Sequence, residues 1–188
     1  MNTYQIRISL RGSKPKIWRR LLLPADLLLP DFHKVIQTAM GWENYHLHHF
    51  EKDRTFYTVK LKDDFSWGMM NNVNYRKTKI SDLLNQEKEK IVYEYDFGDS
   101  WTHEILLEKI LPYDDQYKKP ACIAGKMNCP PEDCGGMWGY LEMVEILKQP
   151  DHAEYNNITD WLEDEFDPEY FDLEEVNNLL KLKNFGCA

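Results

Sequence analysis

An α+β fold, with an antiparallel or mixed sheet, helices packed on one face and a helical C-terminal region, is what the sequence predicts. Strict two-residue alternation opens the chain, hairpin patterns fill the stretch 1–110, and helical stripes follow Met137. Strands first and helices last is the order that segregates the two kinds of element instead of interleaving them. We read the 188 residues as a single domain: a sheet-rich core with one helix over 1–110, an irregular loop over 111–136, and a helical, acidic region over 137–188.

Tyr4, Ile6, Ile8 and Leu10 alternate with Gln5, Arg7, Ser9 and Arg11, which makes a strand with one apolar face. Gly12-Ser13-Lys14-Pro15 is the turn, and residues 17–23 are the return strand of a hairpin. Pro30 suits a first helical turn. Phe32, Val35, Ile36, Ala39 and Met40 then fall at helical spacing, with Gly41 as the stop. Residues 42–60 read as two strands around Glu51-Lys52-Asp53-Arg54. Residues 61–80 are polar and aperiodic, so we expect an extended loop ending in a short turn at Ser81-Asp82-Leu83-Leu84. Residues 91–97 and 101–108 form a second hairpin over Gly98-Asp99-Ser100. Residues 112–136 carry four Pro and three Gly and show no pattern. Met137, Tyr140, Leu141, Val144 and Leu147 make one helical stripe, closed by Pro150; Tyr155, Ile158 and Leu162 make a second. Asp172 with Glu175 starts a third, expected to bury Leu173, Val176, Leu179 and Leu180.

Composition excludes several classes. Six Trp, eleven Tyr and eight Phe are too many for a solvated, disordered chain. The most apolar run, residues 21–29, is broken by Pro24 and Asp26 and falls well short of the roughly 20 residues a bilayer needs. No signal peptide precedes the first strand pattern, and four Cys in such a chain read as thiols or metal ligands, so the expected location is the cytoplasm. Charge is unevenly distributed. Residues 1–148 are neutral, with 21 basic and 21 acidic groups, whereas residues 149–188 hold 11 acidic and two basic. Residues 1–25 hold six basic groups and no acid. Either basic strands face acidic helices, or the hairpin arginines form a phosphate-binding surface.

Three segments bring ligand-type side chains. His46-Leu47-His48-His49-Phe50 places His46 and His48 on one strand face and His49 on the other, a metal pair or a set of sheet-edge polar groups. Asp96-Phe97-Gly98-Asp99-Ser100-Trp101-Thr102-His103 packs two carboxylates and an imidazole around a turn that needs Asp and Gly for its own geometry. The Asp-Phe-Gly spelling is not a kinase motif, since no Gly-rich or catalytic loop accompanies it. Cys122, Cys129 and Cys134 are separated by six and four residues, unlike a zinc ribbon, and read as loop anchors or as part of a mixed Cys/His site. Nucleophile elbow, phosphate loop, dinucleotide fingerprint and His-Glu-x-x-His are all missing.

Taken in order, the blocks Ile17-Trp18-Arg19-Arg20, His33 with Gly41-Trp42, His46-Leu47-His48-His49-Phe50, Tyr93-Glu94-Tyr95-Asp96-Phe97-Gly98-Asp99-Ser100-Trp101-Thr102-His103, Cys129-Pro130-Pro131-Glu132-Asp133-Cys134-Gly135-Gly136 with Trp138-Gly139-Tyr140, and Phe166-Asp167-Pro168 with Phe171-Asp172 resemble the plasmid pRiA ORF-three-like family. The resemblance implies an uncharacterised protein of a mobile-element-associated family. Some members are labelled transposon resolvases, a label that the missing Ser–Arg cluster and basic DNA-binding module do not support.

Two functions compete. The first is a non-catalytic binding or accessory module whose basic hairpin (Arg7, Arg11, Arg19, Arg20) meets nucleic acid or an acidic protein; Arg19, however, shares a face with Ile17 and Leu21. The second is a metal site for zinc or another divalent ion, with hydrolytic chemistry open to it, assembled from His46, His48, Asp99, His103, Cys129 and Cys134, with Asp96 or Asp99 as a supporting carboxylate.

Overall fold

The computed structural model describes residues 2–60, 71–162 and 165–187. An eight-stranded mixed sheet runs β5-β4-β3-β6-β7-β1-β2-β8. The strands are β1 (Asn2–Leu10), β2 (Trp18–Pro24), β3 (His48–Lys52), β4 (Thr55–Thr58), β5 (Asn72–Asn74), β6 (Lys90–Tyr95), β7 (Trp101–Pro112) and β8 (Ala121–Lys126). Every pairing is antiparallel except β4 with β5. The helices are α1 (Leu29–Met40), α2 (Ile80–Leu83), α3 (Gly136–Leu147), α4 (Tyr155–Leu162) and α5 (Leu173–Leu180). Among the described residues no helix is long and apolar enough to cross a membrane.

Alternation decides which face is covered. Tyr4, Ile6, Ile8 and Leu10 of β1 sit opposite Leu23, Leu21 and Arg19 of β2 and Ile105 and His103 of β7, all on one buried face. Helix α1 lies against that face through Phe32, Val35, Ile36 and Ala39. It ends because Gly41 adopts φ 105° and sends its amide back to the Gln37 carbonyl, a left-handed cap that a Cβ would disfavour. The opposite face carries Gln5, Arg7, Trp18, Arg20 and Glu104.

Four expectations need correction. Within residues 61–80, the first ten lie outside the described residues, and the rest contain β5, a 3-10 turn over Tyr75–Lys77 and the start of α2. The stretch 111–136 is not wholly irregular: β7 continues to Pro112, a 3-10 turn spans Asp115–Tyr117, and β8 pairs with β2. Ala121-Cys122-Ile123-Ala124-Gly125-Lys126 shows no strand pattern because it is an edge strand, and the Phe171 ring occupies the space beside Gly125 that a side chain would fill. The sheet-rich half carries a second helix, α2. Finally, α5 buries only Leu180 fully, while Leu173 and Leu179 are exposed; a short helix against an edge strand meets too little surface to cover the whole stripe.

Candidate metal centre

Three loops meet beyond the β6–β7 turn. Asp96 follows β6 in left-handed backbone at φ 56°, and its carboxylate accepts the Gly98 amide at 2.8 Å, an Asx turn that closes the hairpin. Its own amide donates to the Leu47 carbonyl at 2.9 Å, which ties the turn to the segment carrying His46. The third loop, Cys129 to Gly136, is bound to the same turn, since the Asp99 carboxylate accepts the Gly135 amide at 3.1 Å. Gly136 is required here: φ is +66°, and a Cβ would lie 2.6 Å from the Asp99 carbonyl oxygen. Pro130 and Pro131 precede Glu132 and Asp133, and Asp133 is left-handed at φ 55°. Left-handed backbone at non-glycine residues is tolerated best by Asp and Asn and gathers where surrounding structure enforces it.

The result is a cluster around one imidazole. His46 Nε2 lies 3.3 Å from Asp133 Oδ1 and 3.7 Å from Glu132 Oε2, while His46 Nδ1 lies 3.8 Å from Asp96 Oδ1. Ligand atoms of His46, Asp96 and Asp133 all fall within 4.8 Å of one another. Glu132 is held from behind: its Oε1 accepts from the Glu43 amide at 2.8 Å and the Tyr95 hydroxyl at 3.0 Å. The Tyr95 oxygen in turn accepts the Tyr45 amide. Among the described residues neither the other carboxylate oxygen of Glu132, Oε2, nor His46 Nε2 finds a hydrogen-bond partner, and both are buried. Burial raises the Glu132 pKa above the ordinary carboxylate range, against the opposing pull of the Glu43 amide and Tyr95. Beside Asp133 a cleft of about 380 Å³ opens between α3 and α4, lined by Met143, Ile146, Ile158 and Trp161 with Glu142 and Glu154.

The six residues expected to form one metal site do not converge. His46 alone enters the cluster. His48 instead stacks on His33 at 3.5 Å between ring centroids and bonds the Tyr75 hydroxyl at 2.9 Å. His103 is fully buried, edge-on to Trp42. Neither of its ring nitrogens completes a hydrogen bond of normal geometry, although the carbonyls of Tyr93 and Trp101 lie near enough to favour the charged form. Burial outweighs them and lowers its pKa to about 4. Asp99 serves as the clamp on Gly135. Cys129 is buried and its thiol pushed well up; Cys134 is pushed up to about 12 by burial, with Asp99 adding to it. Among the described residues no cysteine is joined in a disulfide. Of the basic candidates, Arg7, Arg11 and Arg20 line the uncovered sheet face. Arg19 points into the core, donating to the carbonyls of Ala39, Trp18 and Lys126 with its guanidinium 4.3 Å from the Phe171 ring centroid.

Sequence reasoning missed Glu132 and Asp133, which it passed over as spacers between cysteines. The signal was present: two consecutive acids directly follow Pro130-Pro131, whose rings restrict the backbone that presents them.

The mixed-sheet α+β fold with a His–carboxylate cluster at the end of its central hairpin defines the class of protein. The chain matches the family described as plasmid pRiA4b ORF-3-like protein over residues 2–175, and it belongs to that family. It is 32% identical over 157 residues to the uncharacterized protein y4hQ of Sinorhizobium fredii (strain NBRC 101917 / NGR234), across 84% of this chain and 79% of that protein. The crystal structure of a protein of unknown function, MM3350 from Methanosarcina mazei Go1, is 42% identical with a TM-score of 0.82, covering 93% of this chain and 96% of that one.

Proposed function

We propose that this chain is a divalent-metal-binding protein whose centre is His46 Nε2, Glu132 Oε2 and Asp133 Oδ1, with Asp96 supporting the imidazole from its Nδ1 side. The carrying observation is a pair of buried atoms, His46 Nε2 and Glu132 Oε2, that face each other at 3.7 Å with no hydrogen bond. Two ligands at about 2.1 Å from a tetrahedral ion stand about 3.4 Å apart, and the 3.3 and 3.7 Å separations at Nε2 bracket that value. One imidazole and two carboxylates suit zinc, iron or manganese, and their two negative charges neutralise the ion. Three protein ligands leave a position for water, the arrangement of a hydrolytic site, and the neighbouring cleft gives a substrate room. Reduced thiols at all four cysteines agree with a cytoplasmic setting.

Elemental analysis and thermal denaturation of tag-free protein test this reading. About one equivalent of metal, a melting temperature raised by added zinc or manganese, and loss of both in His46→Ala and Glu132→Gln support it. Less than about a tenth of an equivalent, with no stabilisation by any of these ions, overturns it. Metal without turnover of ester, amide or phosphoester substrates would make the chain a non-catalytic binding module.

A further inference from the structure

We propose that the uncovered face of the β1–β2 hairpin binds single-stranded nucleic acid. Helices cover the other face of these strands, so the polar side chains of the hairpin lie on the face opposite them. They form three rungs. Arg7 lies opposite Arg20, and Ser9 opposite Trp18. Arg11 and Lys16 follow as the next rung, since the Leu10 amide pairs with the Ile17 carbonyl between them. Same-face rungs repeat about every 6.8 Å along a strand. A cationic pair, an indole and a second cationic pair therefore succeed one another along a cleft of about 430 Å³.

Placing Arg7 directly against Arg20 costs stability unless something neutralises it. Glu108 does so, accepting from Arg20 at 2.6 and 2.9 Å and lying 3.8 Å from Arg7. Of the further acids on this face, Glu104 is engaged by Lys90 at 3.1 Å, and Glu94 accepts from the Ser100 hydroxyl at 2.6 Å and lies 3.5 Å from His49. Arg11 and Lys16 have no acidic partner among the described residues, so the outer rung is the strongest anion site. Trp18 lies between the rungs, half-buried, with the Arg20 guanidinium over one face of its ring at 5.1 Å from the centroid, which holds the indole in place. The acids carried by α5 stand on the other side of the sheet. Helix α5 packs on β8 and α1, and Phe171 meets Arg19 on the helical side of the sheet.

Phosphate, base, phosphate is the order that a single strand presents to a surface carrying cation, aromatic, cation. A duplex stacks its bases out of reach of Trp18, so the unpaired strand is the fitting occupant. An acidic protein would use the cations and leave the indole idle.

Fluorescence anisotropy of labelled short oligothymidylate, a duplex of equal length and polyglutamate decides the matter at low and moderate salt. The expected result is preferential binding of the single strand, with log K falling by about 2 per decade of salt for three neutralised phosphates. Trp18→Ala should weaken binding about tenfold, with Trp18→Phe restoring most of it. Arg11→Glu with Lys16→Glu should weaken it further and flatten the salt slope by about 1.4. His46→Ala should leave binding intact, which separates this surface from the metal centre. No retention of the single strand at low salt overturns the proposal. So does equal affinity for polyglutamate, or equal affinity for duplex with Trp18→Ala unchanged. The surface double variant is read independently should the tryptophan variant fail to fold.

Discussion

Acidification should destabilise this protein before most of its carboxylates protonate, because His33, His48 and His103 are buried in the neutral form. His33 sits between the Tyr93 hydroxyl at 2.9 Å and the Asn44 side-chain oxygen at 2.7 Å, and burial lowers its pKa from 6.5 to about 4. His103 falls to about 4 for the same reason. Such a group binds protons more tightly in the unfolded chain. Its neutral form costs nothing above pH 6.5, and stability is lost as the pH falls below that value toward the folded pKa. Between pH 7 and 5 each imidazole removes about 2 kcal/mol, and the pair removes about 4 kcal/mol, a large share of the 5–15 kcal/mol typical of a domain. His48, lowered to about 2 by burial beside His33, acts in the same direction and steepens the loss. Urea denaturation at half-unit steps from pH 7.5 to about 4.5 measures this directly. Near pH 5 the unfolding free energy should fall by about 2.7 kcal/mol per pH unit or more, the uptake of at least two protons. A midpoint that does not move between pH 7 and 5 would refute the reasoning.

Other perturbations follow from the same structure. His103→Phe removes an imidazole whose nitrogens lack normal hydrogen bonds, so urea denaturation at pH 7 should show it stabilised by about 1 kcal/mol or more and should show about a third less acid sensitivity; clear destabilisation would mean that a partner exists. Arg19→Met should cost about 3 kcal/mol or more in thermal denaturation, since it strands the Ala39 and Lys126 carbonyls and leaves Phe171 without its cation. Gly136→Ala should destabilise by about 2 kcal/mol or more, because φ is +66° and the methyl meets the Asp99 carbonyl, and calorimetric titration should show weakened zinc affinity as the loop shifts. Asp172→Ala removes two amide bonds at the start of α5 and should cost about 1 kcal/mol in thermal denaturation, with the site unaffected.

Periodicity made most of the elements legible: β1 from its alternation, α1 from its stripe and Gly41, the two hairpins from their turn residues, and the start of α5 from Asp172. These are local properties, set by steric and hydrogen-bonding preferences within a few residues. Even the burial of Arg19 could be read from its parity with Leu21. Local rules stop at β8, whose strand conformation comes from the β2 edge and the Phe171 ring, neither of them near it in sequence. They stop again at the functional site. His46 and His48 have the same strand parity, yet one faces Glu132 and Asp133 while the other stacks on His33, because the Asp96 amide and the Leu47 carbonyl fix where the strand begins. Glu132 and Asp133 stand far from His46 along the chain, beyond the six strands β3 to β8. Residue types can nominate ligands, but only the packing of three loops onto one turn decides which of them share a point in space.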